Sequence, residues 1–222
     1  MRTILLLSGL LIAAPGFAQP LTNLERERAL SELHAGRKLL LDAVAGLSEA
    51  QWNFKPGPDR WSVAEVAEHI TLAEDFLFNA SQQILTSPAT PEKKAEVQGK
   101  DEIVLTKTLD RSRKGTAPEP LVPSHKWASH QDMMEQFKKS RDRTIAYISS
   151  TPDELRSHFY KHPAYDLLDA YQWLLFMAAH SERQHSTAQG SEGRPEFSED
   201  VTARLYCRTT ISERHAILPA AS

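Results

Sequence analysis

The apolar positions of this chain recur at helical spacing in four long stretches, separated by polar segments that carry prolines. The first stretch opens at Thr22. There Thr22-Asn23-Leu24-Glu25 reads as a capping box, in which the hydroxyl and the carboxylate each take a free backbone N–H. Leu30, Leu33, Leu40, Leu41 and Val44 follow on one side, and Gly46 offers a stop. A second box, Ser62-Val63-Ala64-Glu65, starts the second helix, whose stripe is Val66, Ile70, Ala73 and Leu77; Trp61 holds the staple position just before the cap. The third helix runs from about Ser129 to Ser149, with Met133, Met134, Phe137, Ile145 and Ile148 inward. Thr151-Pro152-Asp153-Glu154, with proline at the first helical position, predicts a short helix after it. The fourth covers about Leu167 to Gln189 and is apolar nearly all round from Tyr171 to Ala179, which places it at the centre of a bundle. No strand-like alternation of comparable length competes, so the expected fold class is all-α, a four-helix bundle.

The connections differ in kind. Trp52 to Arg60, with Pro56-Gly57-Pro58, is a linker between the first two helices. Between helices two and three lies a long loop, residues 87–124, with Pro88, Pro91, Pro118, Pro120 and Pro123 and a charged stretch from Glu92 to Asp101. A short helical turn fits Asp101 to Asp110. A connection this long is unusual in a compact domain and permits a crossover, so helices two and three need not be antiparallel neighbours. After Gly190 the chain turns rich in Ser, Glu, Arg and Pro and reads as an irregular tail, with room for a short helix near Thr202 to Arg208.

Composition and charge narrow the function. With 41% hydrophobic and 25% charged residues the chain has enough apolar material for one full core. The net charge of −3 gives no basic face for phosphates, so nucleic acid is not an expected partner. Met1-Arg2-Thr3, the apolar run Ile4 to Ala14 and then Gly16-Phe17-Ala18 form a signal-peptide pattern with cleavage after Ala18. That run, about 11 residues, is too short for a permanent span, so no stable membrane anchor remains after cleavage. The expected organisation is a signal peptide over 1–18, a bundle over 19–198 and a tail over 199–222, in a periplasmic or secreted protein. The single cysteine, Cys207, cannot form an internal disulfide, and no histidine nearby marks it as a catalytic thiol.

The candidate chemistry lies in three histidines, His69, His180 and His185. His69 sits about 60° from Val66 on the helical wheel, at the edge of the second stripe. Trp173, Phe176 and His180 fall on one line of the fourth helix, which turns His180 inward, where an imidazole needs a carboxylate, a carbonyl, a water or a metal. Neutral imidazoles are common ligands for Zn, Ni and Fe. His185 lies about 140° round from His180 on an ideal helix, whereas Gln184 lies about 40° away; a π-bulge near Arg183 would bring His185 in line. No residue is assigned a catalytic role; Glu68, Glu74 and Glu182 are the carboxylates to consider as a base. His125, His130, His158 and His162 fall in loops and at helix ends, where surface placement is expected.

The run from Trp61 through Glu68-His69 resembles the helix-two signature of the DinB-like (DinB/YfiT) four-helix-bundle superfamily. Trp173 through His180-Ser181-Glu182-Arg183 resembles its helix-four signature. Asp110-Arg111, Ala117-Pro118-Glu119, Thr151 to Leu155 and His162-Pro163 are similar to a DinB_2-type subgroup, and the resemblance spans about residues 24–198. It implies an up-down-down-up bundle and a divalent-metal site made by one histidine of helix two and two of helix four. His69 and His180 match two of those positions. At the third, many relatives have histidine directly after the Glu-Arg pair, whereas this chain has Gln184 there and His185 one residue later. Some relatives are thiol-dependent S-transferases or isomerases; their thiols are cytoplasmic, so export disfavours that chemistry here, while hydrolysis by a metal-activated water needs no thiol. Two readings stay open: a metal-dependent hydrolase or transferase acting on an unidentified small molecule through His69, His180 and His185, or a non-enzymatic, stress-associated binding or scaffold protein with a metal-free site. Helix faces of such bundles suit a homodimer.

Overall fold

The computed structural model describes residues 20–58, 60–110, 112 and 116–189, with the backbone alone over 185–189. The proposed signal segment, the tail and Cys207 lie outside the described residues. Helix α1 (Asn23–Val44) starts at the Thr22–Glu25 capping box, with both reciprocal bonds made, and the chain leaves it through Gly46 at φ 73°. A short helix, α2 (Glu49–Asn53), follows under a Ser48–Gln51 box and buries Trp52. Helix α3 (Val63–Leu85) begins at the Ser62–Glu65 box, and α5 (His130–Ser150) begins at Ser129, whose hydroxyl takes the Asp132 N–H. Between them the long connection holds a 3-10 turn over Pro91–Val97, helix α4 (Lys100–Leu109) where a helical turn was expected, and a second 3-10 turn over Glu119–Leu121. Helix α6 (Ala170–Gln189) closes the described chain. Among the described residues no helix is long and apolar enough to cross a membrane.

The all-α expectation needs one correction. In place of a short helix after Thr151, the chain makes an antiparallel hairpin, β1 (Phe159–His162) with β2 (Asp166–Asp169). The Thr151-Pro152-Asp153-Glu154 motif does cap something, but only a turn: the Thr151 hydroxyl takes the Asp153 N–H, and the Thr151 carbonyl takes the Arg26 guanidinium. Leu155 is fully buried and its carbonyl accepts the Tyr171 N–H, so the segment is drawn onto α6 and cannot wind as a helix. Helix α6 therefore starts at Ala170, three residues later than the expected Leu167. Asp169 and Gln172 form its cap, Gln172 N–H to Asp169 Oδ1 at 2.7 Å and Asp169 N–H to Gln172 Oε1 at 3.2 Å.

Helix α6 packs against α1, α3 and α4, and α5 packs against α1 and α3, so α1 and α3 stand diagonally across the bundle. Contacts fix which ends meet. Glu25 at the start of α1 meets Tyr171 at the start of α6, whereas Arg26 reaches the Ile148 carbonyl at the end of α5. Along α3, Asp75 meets Ser140 of α5 at 2.7 Å, and Phe78 meets Tyr147 further along both helices.

At the centre lies Arg141 of α5, with no exposed surface. Its Nε and Nη2 donate to the two oxygens of Glu74 on α3 at 2.8 and 2.6 Å. Nη1 donates to the Leu33 carbonyl of α1 at 2.8 Å, and Nη2 also donates to the Ser181 hydroxyl of α6 at 2.7 Å. One guanidinium thus touches all four long helices. Near the start of α6, Arg156 pairs with Glu25, Asp101 and Asp169 and stacks on the Tyr171 ring at 4.0 Å, tying α1, α4 and the hairpin together.

Removing one member of a buried pair leaves the other charge uncompensated. Glu74→Ala is expected to cost about 3–5 kcal/mol in urea unfolding, and the double change Glu74→Leu/Arg141→Met to recover only part of it, because the Leu33 carbonyl loses its side-chain donor. Full additivity of Glu74→Leu and Arg141→Met, each measured alone, would contradict the network.

Candidate metal centre

His69 and His180 come together between α3 and α6. Their Nε2 atoms lie 3.2 Å apart, with ring centroids at 5.0 Å. His69 is buried, and the Trp61 ring covers it at 5.0 Å, so the residue before the cap roofs the histidine two turns on. His69 Nδ1 donates to the Leu121 carbonyl at 2.8 Å. A carbonyl only accepts, so Nδ1 carries the proton and Nε2 presents its lone pair to His180. His180 is flanked by Phe176 one turn back, at 5.8 Å, and its own Nδ1 is buried without a partner.

Both imidazoles are held neutral. Burial lowers the His69 pKa, with the Leu121 bond acting weakly the other way. His180 keeps a partly accessible edge, yet burial, then His69, Arg183 and Arg141, lower it to about 3. Neutral imidazole nitrogens facing one point are what a divalent cation requires. Two nitrogens on one zinc-like ion at about 2.0–2.1 Å, near the tetrahedral angle, stand about 3.3 Å apart. The observed 3.2 Å fits.

The third position is taken up differently from the expected pattern. Helix α6 stays α-helical through Gln189, with no π-bulge at Arg183, and the Gln184 amide lies 3.3 Å from His180 Nε2. Gln184 therefore faces the pair; the side chain of His185 lies outside the described residues. Among the described residues no group of three His, Cys, Asp or Glu side chains is placed to hold a metal ion. The donor set on view is two imidazoles and an amide, which fits a divalent ion through its two nitrogens and leaves His180 without an orienting acceptor.

Two of the three carboxylates considered as bases are engaged elsewhere. Glu74 holds Arg141. Glu68, although next to His69, turns to the loop and takes the N–H groups of Ser124, His125 and Lys126. Burial, and after it Glu32 of α1, raises the Glu182 carboxyl. Beside the Glu68 loop opens a pocket of about 360 Å³, walled by Ala64, Trp127 and Met133 and edged by Glu49, His125 and His130.

Of the other histidines, His125 is exposed, His158 bonds the Ser87 carbonyl at the surface, and His130 stacks on Trp52 at 4.3 Å. His162 departs from its expected surface placement. It is buried on β1 among Trp173, Phe176 and Tyr165, at 4.7, 4.4 and 5.1 Å. The available signal was the aromatic line of Trp173 and Phe176, against which His162 packs.

A helical bundle with a histidine pair joining two of its helices defines the class, and the family follows: the model of the DinB superfamily (DinB_2) matches residues 32–188, so the chain belongs to that superfamily. It is similar to the uncharacterized protein YuaE of Bacillus subtilis (strain 168), 29% identical over 143 residues, covering 64% of this chain and 84% of that one. Among solved structures it is similar to YfiT from Bacillus subtilis, described as a probable metal-dependent hydrolase with an unusual four-helix bundle topology. That match has 15% identity and a TM-score of 0.48 over 78% of this chain and 88% of that one.

Burial alone lowers the His162 pKa to about 4. The unfolded chain takes up a proton near pH 6.5 and the folded one only near 4, so stability is full above 6.5 and falls as pH drops through that window. His162→Phe, which keeps the aromatic packing, should lose about 1–2 kcal/mol less than wild type between pH 7 and 4.5 in urea unfolding, after allowance for solvent screening. Identical acid limbs would show that His162 is not held neutral.

Proposed function

We propose that His69 and His180 hold one divalent metal ion, Zn, Ni or Fe, and that the protein is a metal-dependent hydrolase or transferase acting on a small molecule. The observation that carries this reading is the 3.2 Å Nε2–Nε2 approach, with the His69 Nδ1 proton already donated to Leu121. Two lone pairs turned on one point repel unless a proton or a cation lies between them. Bound there, a divalent ion would supply Lewis acidity to an oxygen of the substrate. The chain's own part is positional: Leu121 fixes the His69 tautomer, Trp61 and Phe176 keep water from the imidazole faces, and Gln184 or His185 offers the next donor. The up-down-down-up course of the long helices belongs to the same reading, supported by the α1–α6, α1–α5 and α3–α5 contacts. So do export after cleavage at Ala18 and pairing as a homodimer.

A second reading has its own support. The Gln184 amide at 3.3 Å from His180 Nε2 closes the pair by hydrogen bonding alone, as in a metal-free binding or scaffold protein. Metal analysis separates the two. Wild type purified without chelators should carry near-stoichiometric Zn, Ni or Fe, and His180→Ala and His69→Ala should each lose most of it. Wild type and variants equally free of metal, even after incubation with Zn²⁺, would leave the scaffold reading.

A further inference from the structure

Glu68 is almost fully buried, at 4% exposure, and a buried carboxylate must be hydrogen-bonded or neutralised. Its partners are three consecutive backbone N–H groups of one loop. Oε1 accepts from Ser124 at 2.8 Å and from Lys126 at 3.1 Å, and Oε2 accepts from His125 at 3.0 Å; the Ser124 hydroxyl lies at 3.5 Å. Converging three successive N–H groups on one anion makes a backbone nest, and it requires a turn that L residues disfavour. His125 adopts it, at φ 58°. The carboxylate thus stabilises a loop shape that the loop's own sequence does not favour.

The same loop orients the metal-site histidine. Leu121, three residues before Ser124, closes a 3-10 turn in which the Val122 N–H bonds the Glu119 carbonyl, and its own carbonyl takes the His69 Nδ1 proton. Pro120 and Pro123 flank Leu121, fixing φ on both sides of that carbonyl and removing competing N–H donors. Adjacent residues of α3 therefore grip one loop at two points, Glu68 by its amides and His69 by its carbonyl. We propose that Glu68 is a positioning residue for His69: by clamping residues 124–126 onto α3 it holds the Leu121 carbonyl where it selects the Nδ1–H tautomer and leaves Nε2 free for His180.

The clamp and the tautomer do not depend on the ion; only the affinity consequence rests on the proposed metal site. The test uses the metal-free, full-length protein first. In wild type, the amides of residues 124–126 should exchange slowly for an exposed loop, and long-range ¹⁵N–¹H spectra should show His69 protonated at Nδ1. In Glu68→Gln, whose NH₂ opposes the loop donors, exchange should quicken about tenfold or more and the His69 tautomers should mix. Zn²⁺ affinity should then fall about 10–100-fold, as for other outer partners of metal-bound histidine. Ser124→Ala, which removes only the long hydroxyl contact, should behave as wild type. Exchange of 124–126 at free-peptide rates in wild type would overturn the proposal, whether or not Glu68→Gln folds. So would a Glu68→Gln protein that is destabilised yet keeps a pure Nδ1–H tautomer. If wild type shows the clamp and the tautomer but takes up no Zn²⁺, the metal reading fails and the role of Glu68 stands.

Discussion

The architecture depends on a single buried cation. Arg141 has no contact with solvent, and its guanidinium is met from the three other long helices: by Glu74 from α3, the Leu33 carbonyl from α1 and Ser181 from α6. Burying a charge is costly unless it is paired and hydrogen-bonded, and a bidentate carboxylate answers it only in one geometry. Sliding any helix by one turn would strand the charge. The neighbours are cut to suit. Gly36 on α1 faces the guanidinium, where an added Cβ would come within 3.3 Å of Nη1 and 3.5 Å of the Ala178 carbonyl. A larger residue there would push α1 away from α5 and α6.

That register is also what brings the histidines together. Ser181 follows His180 directly, and Glu74 lies five residues beyond His69 on the same helix. The contact that aligns α3 with α6 through Arg141 therefore sets the level at which the imidazoles meet. Further from the centre, the Arg156 cluster secures the start of α6, and the Glu68 loop controls the orientation of one ring. The histidine pair thus rests on structure fixed from three sides, which is how a site is held to the tolerance that metal or substrate chemistry needs.

What could be read from the sequence was local. The Thr22 and Ser62 boxes and the apolar stripes of α1, α3 and α5 gave helix starts to within a residue, because capping and amphipathic spacing need no partner. The same box at Ser48–Gln51 marks α2, but five residues are too few for periodicity to reveal. Tertiary contacts decided the rest. Thr151-Pro152 has the pattern of a helix start, yet Arg26 and α6 capture its flanks and the chain goes on to a hairpin. Arg141 sits four residues after Phe137 in the α5 stripe, and Glu74 four after Ile70 in the α3 stripe. Two opposite charges in facing apolar stripes were the available sign of a buried pair. At the site, His69 and His180 were legible as inward residues on separate helices. Their meeting at 3.2 Å was not, since it depends on the crossing of α3 and α6. The inward turn of Gln184 follows from ideal helix geometry once no bulge intervenes.

His69 and His180 are proposed to share one ion. X-ray absorption of the zinc-loaded protein tests it most directly. A first shell of nitrogen and oxygen at about 2.0–2.1 Å, with the outer-shell scattering of two imidazoles, is the predicted result. A zinc environment without imidazole scattering, or one that is unchanged in His69→Ala, would contradict it.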